Sequence, residues 1–130
     1  MAKKELIWTD KAPRPKVPIA QAVRFGDLVF TSGYVALDPK TGEFSSGDIR
    51  AQTRRIIETL GTILQEAGTS LDNVLKLNCY LRDLADFEAY NEVYKEYFQN
   101  NPVARTSVQV GRMPGDYALE IEMIAGIPGK

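Results

Sequence analysis

The sequence predicts an α+β domain in which two amphipathic helices lie over one face of a β-sheet. Three observations predict it. The chain has 130 residues with 44% hydrophobic content, the size and composition of one compact domain over residues 1–130. The hydrophobic period changes along the chain from two to between three and four and back again. Short alternating runs bounded by glycine and proline flank the two helical stretches, giving the order β-β-α-β-α-β-β.

Residues 9–18, TDKAPRPKVP, hold three prolines and three cationic residues, so residues 1–16 are expected as an extended arm, with ELIW able to add an edge strand. IAQAVRF and LVFTSGYVA flank Gly26-Asp27 and read as a hairpin. LDPKTGEFSSG, with Pro39 and Gly42 in turn positions, is a loop. From Asp48 onward Ile49, Thr53, Ile56, Ile57, Leu60, Ile63, Leu64 and Ala67 fall on one helical stripe. Asp48 is the expected N-cap and Gly68 the residue just past the end; Gly61, inside, costs about 1 kcal/mol against alanine. NVLKLNCYLRD returns to period two, with Leu75, Leu77, Cys79 and Leu81 on one face, so Cys79 reads as an inert core residue. Over residues 84–99 Phe87, Tyr90, Tyr94, Tyr97 and Phe98 form an aromatic stripe, into which Asn91 intrudes and must find partners for its amide. RTSVQV and ALEIEMIAG end the pattern as two strands joined through Met113-Pro114-Gly115-Asp116.

Composition removes several functions. Sixteen basic against 17 acidic residues give a net charge of −1, so no overall field draws in phosphate backbones or anionic membranes. Nucleic acid is not an expected partner, and Arg54-Arg55 and KAPRPK read as solvated surface. No segment approaches the roughly 18 apolar residues of a membrane span, and MAKKELIWTD has no signal-like apolar run, so a cytoplasmic location is expected. One cysteine allows no internal disulfide, and the absence of histidine excludes histidine-dependent triads and His-type zinc sites.

PVARTSVQV raises a different question, because it carries a guanidinium in a β-branched strand. Parity puts Thr106, Val108 and Val110 on one face and Arg105, Ser107 and Gln109 on the other. In the last strand Leu119, Ile121, Met123 and Ala125 make the apolar face, and Glu120 and Glu122 lie opposite. The expectation is that Arg105 and Glu120 both project from the face that the helices leave open. If these two strands form a simple hairpin, Arg105 pairs near Ile124, too far along for a direct salt bridge to Glu120. Taken alone, such an arginine is a solvated, edge-protecting charge. The first hairpin is apolar on both sides, Ile19, Val23 and Phe25 against Ala20 and Ala22, and Leu28 and Phe30 against Val29 and Val35. With no third helix to cover the second face, self-association is expected to cover it.

The succession PIAQAV, VFTSG, DPKTGE, IRAQTRRIIETLGTIL, VLKLNCYLRDLADFEAYNEVYKEYF, PVARTSVQV and MPGDYALEIEMIA resembles the RidA family of reactive-intermediate deaminases from about residue 13 to the C-terminus. The resemblance implies a chorismate-mutase-like fold, with a mixed sheet of about six strands, and a homotrimer with clefts between subunits. It implies hydrolysis of enamines and imines of the 2-iminopropanoate and 2-iminobutanoate type to 2-oxo acids and ammonia, without a cofactor or metal. Carried over residue by residue, it makes Arg105 the carboxylate-binding arginine and Glu120 the residue that orients and polarises water. Ser32 and Gly33 contribute backbone groups, Asn91 matches a pocket asparagine, and Ser107 stands where cysteine is common. The sequence departs at PKVPIAQA, where the family motif has a tyrosine and this chain has Ile19. Tyr34 adds a phenol nearby. That departure implies either a preference for bulkier or more apolar imines or weak activity on the smallest. It also keeps open a non-catalytic ligand-binding or regulatory trimer; an endoribonuclease or translation inhibitor is a further alternative.

Overall fold

The structure, a computed structural model, describes residues 1–129. Its elements are β1 (Lys4–Ile7), β2 (Ala22–Phe25), β3 (Leu28–Thr31), α1 (Ile49–Glu66), β4 (Val74–Leu81), α2 (Phe87–Phe98), β5 (Ala104–Gln109) and β6 (Leu119–Gly126). The six strands form one sheet in the order β1-β2-β3-β6-β4-β5. β4 and β5 run parallel, joined over the sheet by α2, and the other neighbours are antiparallel.

The last two strands therefore do not form the expected hairpin. β6 enters the middle of the sheet, between β3 and β4, and β5 lies at the edge, where Arg105 pairs with Leu77. The chain between them wraps the end of β4, with Val110 N–H donating to Leu81 O and Arg82 N–H to Ala118 O. Side chains explain the choice. Leu119, Ile121, Met123 and Ala125 are all buried, which suits a central strand, whereas β5 offers an arginine, a serine and a glutamine.

Under the helices the core is continuous. Ile56, Ile57, Leu60, Ile63 and Leu64 of α1 have no exposed surface, nor do Leu77, Cys79 and Leu81 of β4. Asp48 caps α1 as its sequence predicts, Oδ1 accepting from Ala51 N–H at 2.9 Å. Gly68 follows the helix at φ +94°, the left-handed conformation that glycine adopts without strain. Gly61 also has a reason: Leu71 lies against it, so that an added Cβ would sit 3.1 Å from Leu71 Cδ1. Arg50–Glu92 and Arg54–Glu96 link α1 to α2 in a two-rung ladder of exposed ion pairs.

The register fixes which side chains face away from the helices. Val29 is fully buried beneath them, so Leu28 and Phe30 face the opposite way, joined there by Phe25, Leu6 and, on β5, Val108. All five are exposed; Leu6, Phe25, Leu28 and Phe30 make an apolar patch over β1–β3, while β6 and β4, which lie between that patch and Val108, present Glu120, Glu122, Asn78 and Tyr80 on the same face.

The arm is less free than its prolines imply. Residues 4–7 pair with β2 as the edge strand, and the buried side chain of Gln21 ties down residues 9–13. Its Oε1 accepts from Thr9 N–H at 2.7 Å, while Nε2 donates to the carbonyls of Thr9, Ala12 and Pro13 at 3.0–3.1 Å. One amide thus satisfies four backbone groups in a segment whose prolines cannot join a ladder. Replacing Gln21 with leucine should orphan the groups of Thr9 and Ala12, leave Pro13 O to the Tyr34 hydroxyl alone, and lower the unfolding free energy by about 2–3 kcal/mol. Chemical denaturation of the variant measures this, and a midpoint equal to the parent's would contradict the role given to Gln21.

Candidate functional site

Two separate hollows hold the residues singled out from the sequence, apart from Ser107. The larger, about 780 Å³, is lined by the arm from Asp10 to Lys16, by Ile19, by Ser32 to Val35, by the turn from Pro39 to Gly42, and by Tyr117 and Glu120. It thus brings together Ile19, Ser32, Gly33, Tyr34 and Glu120. The smaller, about 420 Å³, lies beside α2 and is lined by Asn91, Tyr94, Phe98, Pro102, Val103 and Arg105 among others.

In the larger cleft the Glu120 carboxylate rests directly on Gly33. A Cβ at position 33 would fall 2.3 Å from Oε2, so only glycine leaves room for the carboxylate there. The strand ends are tied together at this point, because Tyr34 and Ile121 exchange N–H···O bonds at 2.9 and 3.0 Å. Burial, aided by neighbouring Glu122, raises the Glu120 pKa above the ordinary glutamate range. Glu122 is itself held, accepting from Tyr80 O–H at 2.8 Å and Asn78 Nδ2 at 3.1 Å. Ser32 donates its hydroxyl to Ala20 O at 2.7 Å.

The phenol of Tyr34 has a different partner from a ligand. It is buried, donates to Pro13 O at 3.0 Å, and burial pushes its pKa up to about 12. It serves the arm, and Ile19 is about half exposed on the cleft wall.

On the other side of the sheet Arg105 is half-buried against the aromatic stripe of α2. Its guanidinium carbon lies 4.4 Å from the Tyr94 ring centroid, 5.5 Å from Tyr90 and 5.6 Å from Phe87. Nη1 donates to Asn91 Oδ1 at 2.7 Å, which gives the intrusive asparagine its partner. Next along the strand, the Ser107 hydroxyl is 3.0 Å from Tyr90 O–H. Cys79 sits beneath, buried, its thiol pushed up to about 12, so it is no nucleophile.

This placement corrects the parity reading of β5. Arg105 and Ser107 pair with Leu77 and Cys79 and so face the helices, whereas Val108 and Thr106 face outward. The valines mislead because α2 covers this edge with aromatic rings, and rings accept a guanidinium as readily as an aliphatic group. Glu120 pairs with Tyr80, on the open face. Arg105 and Glu120 are thus on opposite faces, two strands and three residues apart, roughly 14 Å between Cα positions. No small ligand touches both within one chain.

Sequence reasoning misses Gln21, Tyr90 and Tyr117. Gln21 is visible as the polar residue of IAQAV, and Tyr90 reads only as core. Tyr117 sits after a turn, where no periodicity applies.

An α+β sheet with this strand order, a ring-stacked arginine on one face and a half-buried glutamate on the other define a class of protein. The family model described as Endoribonuclease L-PSP matches residues 9–127, and the chain belongs to that family, whose RutC and Rid members it resembles throughout. A RutC family protein of Pyrococcus abyssi is 49% identical over 122 residues, covering 94% of this chain and 96% of that one. The chloroplastic Reactive Intermediate Deaminase A of Arabidopsis thaliana is 41% identical over 123 residues, covering 95% of this chain and 66% of that one. Among solved structures, RidA from an Antarctic Psychrobacter superposes with a TM-score of 0.89 at 39% identity, covering 95% and 99% of the two chains. E. coli TdcF, solved with bound serine, superposes with a TM-score of 0.88 at 40% identity, covering 94% and 98%. The RidA family and fold expected from the sequence are therefore those found.

Because the Glu120 pKa is raised, the folded chain keeps a proton that the unfolded chain has already lost between the ordinary glutamate range and the raised value. Stability from this group is complete below that window and falls as pH rises through it. Glu120→Gln lacks the effect, so its denaturation midpoint should climb relative to the parent's as pH rises through the window. A difference independent of pH would contradict the burial argument.

Proposed function

We propose that this protein hydrolyses imines and enamines of 2-oxo acids, releasing ammonia, in clefts formed between neighbouring copies of a homotrimer. One observation carries the reading: a guanidinium, held in place by three rings and Asn91, lies on one face, and a raised-pKa carboxylate lies on the other. Two copies can bring these faces together where one chain cannot. The apolar patch of Leu6, Phe25, Leu28 and Phe30 on the open face supplies surface for that association.

The chemistry needs few parts. The guanidinium fork of Arg105 receives the carboxylate of the imino acid in a bidentate pair, and its stacking on α2 limits the orientations the fork can take. Water attacks the imine carbon while the Glu120 carboxylate accepts its proton. That proton passes to the nitrogen of the tetrahedral intermediate, whose hydroxyl then gives up its own proton through the Glu120 carboxylate to the departing nitrogen as the C–N bond breaks and the C=O bond forms, leaving the 2-oxo acid and ammonia. A carboxyl whose pKa lies above the ordinary range takes and returns a proton more evenly near neutral pH than an ordinary one. Support for the class of reaction comes from the deaminase name of the Arabidopsis relative.

A second reading has an observation of its own. Ile19 stands where the family has a tyrosine, and the Tyr34 phenol is committed to Pro13. A trimer that binds 2-oxo acids without hydrolysing imines would fit that loss. For the hydrolytic reading, Arg105→Ala should abolish ammonia release from freshly generated 2-iminopropanoate, and Arg105→Lys should recover little of it, with the size of the assembly unchanged. Turnover by Arg105→Ala equal to the parent's would refute the carboxylate clamp; an inactive parent that still binds 2-oxo acids would favour the second reading.

A further inference from the structure

We infer that the cleft is shaped for imines with a large apolar side chain, aromatic or branched aliphatic, and that Tyr117 is the residue that sets this preference; the inference rests on the hydrolytic reading above. The hollow holding Glu120 measures about 780 Å³ on the single chain, before a neighbouring copy closes over it, and its lining rather than its size bears on the side chain it takes. Apart from the basic side chains at its rim, much of its wall is apolar: Ile19, Val35, Leu37 and the Tyr117 ring.

Tyr117 is fixed where it stands. Its ring packs on Gly115, so closely that a Cβ there would fall 2.5 Å from Cε2, and it meets Phe44 edge-to-face at 5.1 Å between centroids. Phe44 in turn is held by its bridge to Leu37 at the base of the turn that closes the cleft. Tyr117 lines the same hollow as Glu120, three residues before it in sequence, so a large apolar substituent on the reacting carbon is placed to meet the ring where a methyl stops short. Ile19 removes the phenol that would otherwise enter this space, and adds apolar surface.

Lys16 and Lys40 also line the cleft, so an acidic side chain is the competing class. The test generates imines in situ by oxidising alanine, leucine, phenylalanine and aspartate with an amino-acid oxidase of suitable range, and follows imine decay with and without the protein. Expected is a kcat/KM at least about tenfold higher for the phenylalanine or leucine imine than for the alanine imine. In Tyr117→Ala that ratio should collapse by about tenfold, and in Tyr117→Phe it should persist, since the ring and not the hydroxyl makes the wall. Preference for the alanine or aspartate imine, or a ratio unmoved in Tyr117→Ala, overturns the inference while leaving the hydrolytic function intact. Failure on all four imines overturns both.

Discussion

Leu119, Ile121, Met123 and Ala125 alternate with Glu120, Glu122 and Ile124, and burial of the first set draws β6 into the middle of the sheet. Burial of Leu119, Ile121 and Met123 contributes about 1.5–3 kcal/mol each, which favours the centre of the sheet over an edge for this strand. Its arrival between β3 and β4 leaves β5 outside, beneath α2, and turns Glu120 toward the face without helices. The separation of the two charged residues is thus a consequence of core packing. A site that uses both must be assembled from more than one chain.

Each charged group then acquires surroundings that fit it for that role. Arg105 is desolvated on one side by Phe87, Tyr90 and Tyr94, whose ring faces carry negative charge density, and Asn91 accepts one of its N–H bonds. Among the described residues no carboxylate pairs with it, which leaves the fork able to receive one from a ligand. Glu120 has the opposite setting. Gly33 admits it close to backbone, burial and Glu122 discourage its ionisation, and the Tyr80–Asn78 pair keeps Glu122 from swinging toward it. The Gln21 amide, by fastening Thr9, Ala12 and Pro13, turns a proline-rich arm into the cleft's outer wall.

Much of this is legible in the sequence. Periodicity locates both helices, Asp48 and Gly68 bound α1, and Gly26 opens the β2–β3 turn at φ +62°. The polar Asn91 in an aromatic stripe announces a partner. What fails is the step from strands to sheet. Adjacent strands in sequence joined by a proline-glycine turn read as a hairpin, and nothing local reveals that β6 is apolar enough to cross to the centre. The facing of Arg105 fails for a related reason, since hydropathy ranks valine above arginine for burial and takes no account of what covers the strand. The partner of the Tyr34 phenol, the Pro13 carbonyl, is not legible either, because it lies in a segment that carries no periodic signal.

Mixing two inactive variants tests the shared site most directly. Arg105→Ala and Glu120→Ala, unfolded together in equal amounts and refolded, should regain activity on an imine that the parent hydrolyses, because some clefts receive an intact arginine from one copy and an intact glutamate from its neighbour. In a randomly mixed cyclic trimer about a quarter of the clefts are complete, so activity near that fraction of the parent's is expected. Mixtures that refold into parent-sized assemblies yet stay as inactive as either variant alone would contradict a site shared between chains.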